Sequence, residues 1–183
     1  MAGWFIWQSK DIPEIELPPP SLTPVSDETT DWQTYRNDRL GFEFKYPSEW
    51  NFIEDVTDST KKRTGNNKIM LDISFSTSPT IYIQEETNDQ YLSLIITKQD
   101  SDTPRLCSES EKEIVLGSIK GCKLIEIREF SEGSGGFNPH NLWNGYFNLK
   151  NNKYEYNFYY LAGLKVTDAE HIFDQIISTF KFI

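Results

Sequence analysis

Long apolar runs are missing from this 183-residue sequence, and no stretch approaches the roughly 20 residues a membrane-spanning helix needs. Histidine and cysteine are scarce, with His140, His171, Cys107 and Cys122 the whole supply. No HExxH pair, P-loop, GxGxxG turn or GxSxG elbow is present, so neither an enzyme nor a cofactor site is expected. The two cysteines have no histidine at ligand spacing, which argues against zinc. Cations are in deficit as well, 18 Lys and Arg against 28 Asp and Glu. Holding nucleic acid requires positive charge against phosphate, so that class of partner is not expected.

What the sequence does have is aromatic residues, 14% of the chain, enough to build a core although hydrophobic residues reach only 37%. They are unevenly placed. Residues 1–31 hold five of the nine prolines and six carboxylates against the single Lys10, half of the net charge of −10. Such a composition cannot bury enough apolar surface to offset the entropy of ordering it. Residues 11–31 are read as an acidic, extended linker with polyproline character at Pro18–Pro20. Residues 1–10 form an aromatic stub, Gly3-Trp4-Phe5-Ile6-Trp7, which resembles the interfacial end of a membrane helix. Three readings stay open for it: the end of a removed anchor, an extra strand on the domain, or a shallow interfacial anchor.

Residues 32–183 read as one domain of short strands. Phe42 to Tyr46 alternates with aromatics on one face, Pro47 stops it, and Trp50 to Ile53 resumes. Asp58 to Asn67 is polar and is expected to be a mobile loop. Lys68–Phe75, Thr80–Gln84 and Tyr91–Thr97 are strand candidates, the last apolar enough to be central. Two hairpins follow, Glu113–Ile127 about Gly117-Ser118, and Asn141–Leu161 about Lys150–Lys153. The Gly-rich stretch Ser131–Asn138 between them is expected to be a flexible loop. Thr167-Asp168-Ala169-Glu170 fits a capping box, and Ile172, Phe173, Ile176, Ile177 and Phe180 follow at helical spacing. Strand pairs with a late covering helix predict an α+β domain on an antiparallel or mixed sheet.

The phrase Gly41-Phe42-Glu43-Phe44-Lys45-Tyr46-Pro47-Ser48-Glu49-Trp50 resembles the opening of PsbP-like domains. The closing Ser178-Thr179-Phe180-Lys181-Phe182 is similar to the end of many bacterial proteins of that kind. The resemblance spans residues 32–183 and implies an α-β-α sandwich around a central, largely antiparallel sheet, with Trp50 wedged beside the last helix. Members of the family serve as extrinsic photosystem subunits, a Ran-binding nuclear factor and exported bacterial proteins, so the resemblance implies no single activity.

Cys107 and Cys122 flank the first strand of the Glu113–Ile127 hairpin, and a disulfide and two free thiols both remain open. The clusters Glu85–Asp89 and Asp100–Asp102 lack the spacing of a calcium loop and read as solvated turns. Lys61-Lys62-Arg63 reads as a solubilising patch, and His171 as a surface or boundary residue. The leading expectation is a membrane-tethered, extracytoplasmic binding or scaffolding domain with an unidentified protein partner. A second is a small-ligand or glycan site in which His140, Trp143, Tyr146 and Phe147 form an aromatic platform. A third, an enzyme pairing His140 with Glu132 or Asp72, has no spacing argument behind it.

Overall fold

The computed structural model describes residues 28–55, 57–78, 83, 85–99, 106–116, 118–130 and 140–183. The aromatic stub, most of the expected linker, the Thr80–Gln84 strand apart from Ile83, the Asp100–Asp102 cluster and the Ser131–Asn138 loop lie outside them.

In chain order the elements are β1 (Gln33–Asn37), β2 (Phe42–Tyr46), β3 (Asn51–Asp55), α1 (Thr57–Thr64), β4 (Ile69–Ser76), β5 (Gln90–Lys98) and β6 (Lys112–Leu116). They continue as β7 (Ile119–Phe130), β8 (His140–Lys150), β9 (Tyr154–Ala162), α2 (Ala169–Thr179) and β10 (Lys181–Phe182). A seven-stranded sheet runs β3-β4-β5-β9-β8-β7-β6, and a three-stranded sheet runs β1-β2-β10. Every pairing is antiparallel.

Alternation along the central strands decides which face is buried. On β9, Tyr156, Phe158 and Tyr160 are at most 1% exposed. They meet Phe42, Phe44 and Phe180, which arrive from β2 and the end of α2. The small sheet and α2 therefore cap one face of the large sheet with aromatic rings. Trp50 stacks on Tyr160, which stacks in turn on Phe173 of α2, so it reaches the helix through a sheet residue.

Two local expectations need correction. The polar stretch after Asp55 is the helix α1, not a loop. It has no apolar stripe to betray it. Its hydroxyls do the docking instead: Thr60 Oγ1 donates to Asp72 at 2.7 Å, and the Asp72 amide donates to Thr57 Oγ1 at 2.8 Å. Asp58 in its first turn and Lys61, Lys62 and Arg63 in its last complement the helix dipole. Gly65, at φ +67°, ends it, its N–H donating to the Lys61 carbonyl.

The Thr167 capping box does not form either. α2 starts at Ala169, and its N-cap Asp168 makes no side-chain capping bond. The approach is set by tertiary contacts instead, with the Gly163 and Leu164 amides bonded to the Asp89 and Glu85 carbonyls. The same Glu85 accepts the Asn141 amide through Oε2, so this acidic cluster works as a backbone staple.

The segment entering the domain is held as well. Glu28 bonds His171 and Gln175 of α2, and Lys45 Nζ donates to the Thr29 carbonyl at 3.0 Å.

Candidate functional site

The turns at one end of the sandwich converge on a cleft of about 1080 Å³. The β1–β2 turn contributes Asp38 to Gly41, the β8–β9 turn Lys150 to Lys153, and the β6–β7 turn Ser118 to Lys120. Leu106 and Cys107 form one wall, and Phe182 and Ile183 another.

Each turn has a local cause. Asn37 accepts the Leu40 amide on its side chain and the Gly41 amide on its carbonyl, and Gly41 takes φ +70° to close the turn. Gly41 then accepts the Ile183 amide at 3.0 Å, which fixes the strand leaving α2 beside the turn. Asn151 Oδ1 accepts the amides of Lys153 and Tyr154 at 2.9 and 2.8 Å, so the β8–β9 turn is held by one side chain. Asn151 also donates to the Tyr156 hydroxyl at 3.3 Å. Burial pushes Tyr156 up to about 12, so the hydroxyl stays protonated beneath the cleft.

Cys107 and Cys122 are joined in a disulfide, with Cα atoms 5.3 Å apart. The bond fastens the segment before β6 to the outer hairpin and so makes the Leu106 wall part of the cleft. The Ser108–Glu111 turn, closed by the Ser108 amide on Glu111 Oε2, leads from it into β6.

Charge in the cleft runs against the chain as a whole. Among the described residues, Arg39, Lys120, Lys150 and Lys153 line it with the side-chain carboxylates of Asp38 and Glu113 in opposition. Asp38 is paired with Arg36 at 2.7 Å, and Glu113 with Lys120 at 2.9 Å. Among the described residues, Arg39, Lys150 and Lys153 have no carboxylate at ion-pair distance; Arg39 instead donates to the Met70 carbonyl. Apolar surface is exposed beside them, Leu106 at 87% and Ile183 at 49%. A concave surface with unpaired cations and exposed aliphatics is suited to binding a partner that carries both carboxylates and apolar side chains.

The residues expected to form an aromatic platform do not share a surface. Trp143 packs on Tyr160 and Phe173 beneath α2, and Phe147 is 1% exposed against Phe158. Tyr146 points to the opposite face, where its ring lies 4.8 Å from that of Tyr159. Strand alternation separates them, since positions 143 and 147 share a face and 146 does not. His140 opens β8, its backbone paired with Phe130. Asp72, on β4, is separated from β8 by the two strands β5 and β9 and is engaged by Thr60. Glu132 lies outside the described residues. Among the described residues no group of three His, Cys, Asp or Glu could hold a metal, and no helix is long and apolar enough to cross a membrane.

The cleft cations come from three turns, one holding position 39, one holding 120, and one holding both 150 and 153. Each reads in sequence as an ordinary solvated turn residue. Only their placement in chain-reversing turns pointed to one end, and the strand register was needed to bring those turns together.

No family model matches the chain, and no curated protein matches it. Solved structures similar in backbone include the following two. One is the solution structure of cyanobacterial PsbP (CyanoP) from Synechocystis sp. PCC 6803. It aligns at TM-score 0.55 and 15% identity, covering 84% of this chain and 93% of that one. The other is a crystal structure from Bacteroides thetaiotaomicron VPI-5482, at TM-score 0.53 and 12% identity, covering 84% of this chain and 49% of that one. This chain therefore spans about half the length of the Bacteroides chain. The α+β architecture, the antiparallel sheet between α2 with the small sheet and α1, and the superposition on CyanoP make this a PsbP-like fold.

Proposed function

We propose that the chain is a non-enzymatic binding or scaffolding domain whose contact surface is the disulfide-walled cleft, and that its N-terminal residues tether it to the outer side of a membrane. The observation that carries the binding reading is the group of three cations, Arg39, Lys150 and Lys153, without carboxylate partners among the described residues and beside exposed aliphatics. A charged group left unpaired in a concavity is more useful to a partner than to the fold, because a partner's carboxylate there is partly shielded from solvent.

The tether reading rests on the aromatic stub and the acidic Pro-rich segment. A stretch of that length, residues 11–27, would span about 50 Å if extended at roughly 3 Å per residue. The Cys107–Cys122 disulfide suits an oxidising compartment.

Fractionation of the full-length native chain tests the tether. Recovery with membranes, and protection of both cysteines from alkylation before reduction, is expected; a soluble cytoplasmic protein with free thiols rejects it. For the binding surface, a photo-crosslinker at Leu106 should trap one dominant partner, and the adduct should be lost in the Lys150→Glu/Lys153→Glu variant. An adduct unchanged by that variant places the contact elsewhere.

A further inference from the structure

We infer that β7 is a self-association edge, at which a second copy of this chain adds its own β7 in antiparallel register about Ile127. β7 runs from Ile119 to Phe130, but β6 pairs only with Ile119 to Lys123. On its other side β7 is paired with β8 in unbroken register as far as Phe130. Among the described residues, the seven positions 124–130 therefore have a strand on one side only. A proline or a bulge would blunt such an edge, and this stretch has neither.

The hairpin fixes which backbone groups face the opening. Leu116 pairs with Ile119 across a two-residue connection, so Ile119 directs its N–H and C=O at β6. Every second residue of β7 points the same way, which turns the N–H and C=O of Ile125, Ile127 and Glu129 out of the open edge. A copy related by a two-fold axis at Ile127 meets those groups with the same set. Ile127 then exchanges both backbone bonds with its counterpart, and Ile125 does so with the second copy's Glu129. Ile127 is also the midpoint of the open stretch, so this register alone pairs all seven positions. A lower centre drives the incoming strand into β6, and a higher one leaves positions unpaired.

Side chains at that register are self-complementary. Ile127 is 65% exposed, and on the axis it lies beside its counterpart, so both leave water. On the other face Glu126 and Arg128 are exposed, and the axis sets each Glu126 opposite the second copy's Arg128. Asn144 Nδ2 donates to Glu126 Oε1 at 3.3 Å, which steadies the carboxylate on the sheet. Charges of one sign would hold two edges apart, whereas this pair of opposite sign favours one register. A foreign strand would have to supply the matching order, and a second copy carries it by symmetry. The open stretch lies at the end of β7 away from the β6–β7 turn that lines the cleft, so the association needs neither the cleft nor a membrane.

A seven-residue strand pair is a small interface, so the dimer is expected to be weak and concentration-dependent. Sedimentation equilibrium of the purified full chain in low salt, from about 1 μM to about 1 mM, should show the mass doubling. Ile127→Lys, which sets two like charges on the axis, should remain monomeric throughout. Glu126→Arg and Arg128→Glu should each weaken the dimer about tenfold, because two attractive pairs become repulsive. The combined Glu126→Arg/Arg128→Glu variant should restore it. An equal mixture of the two single variants should pair at concentrations where neither does alone, which also shows that both are folded. A native chain that is monomeric at about 1 mM overturns the proposal. So does a dimer indifferent to Ile127→Lys, or one weakened by the single reversals and not recovered by the combined variant or the mixture.

Discussion

The two faces of the seven-stranded sheet are made by the same strands and have opposite characters. On β9 the inner face carries Tyr156, Phe158 and Tyr160, and the outer face carries Glu155, Asn157 and Tyr159. Inside, rings from β2, β9 and α2 pack edge-to-face and stacked into one aromatic cluster. Outside, polar contacts accompany the Tyr146–Tyr159 ring pair: Asn148 and Gln99 donate to Glu155, Asn144 to Glu126, and α1 docks through threonine hydroxyls. Stability is therefore expected to be concentrated on one face. The outer face, whose Tyr91, Tyr146 and Tyr159 remain half-buried, tolerates change more readily.

Phe158→Ala should have the largest effect, a loss of about 3–5 kcal/mol in denaturant unfolding, because it empties the centre of the aromatic cluster. A loss under about 1 kcal/mol would show that the inner face is not the principal core. Next is the covalent link. Cys122 sits on the outer face of β7, and Cys107→Ser/Cys122→Ser releases a loop closed over a separation of 15 residues, costing about 2–4 kcal/mol. Thermal unfolding with and without reductant should reproduce that loss in the native chain and leave the variant unchanged.

Alkaline pH probes the buried tyrosines of both faces, since burial raises Tyr156 and Tyr160 inside and Tyr159 outside. Burial raises Tyr156 from 10 to about 12, so the folded state holds this proton more tightly than the unfolded chain. The resulting stabilisation is complete below pH 10 and is lost as pH rises through about 12. Urea midpoints measured across that window should fall for the native chain and fall less for Tyr156→Phe. The smallest effect belongs to the outer face: Tyr146→Ala should cost only about 0.5–1.5 kcal/mol, the value of its ring contact with Tyr159. A cost as large as that of Phe158→Ala would erase the distinction between the faces.

The inner face was legible in the sequence because it is periodic. Phe42-Phe44-Tyr46 and Tyr156-Phe158-Tyr160 alternate, and the stripe of α2 repeats at helical spacing. The α1 helix was not legible, since its docking groups are Thr57 and Thr60 rather than apolar residues. The aromatic platform was misread because proximity in sequence hid the reversal of side between Trp143 and Tyr146. The cleft was not legible at all, as Arg39, Lys120 and Lys153 are far apart in sequence and meet through strand register.

By itself, the sequence determined an α+β domain, two hairpins, a closing amphipathic helix and a cysteine pair beside the outer hairpin. These follow from local periodicity and turn chemistry, which a chain carries along its length. Tertiary structure alone decided that the cysteines bond, that acidic residues at 85 and 89 staple the approach to α2, and that three cations without carboxylate partners among the described residues share one cleft. Each of those outcomes depends on which strands become neighbours. The scarcity of histidine and cysteine set the expectation of no catalytic or metal site, and the overall deficit of cations concealed a cleft in which cations collect.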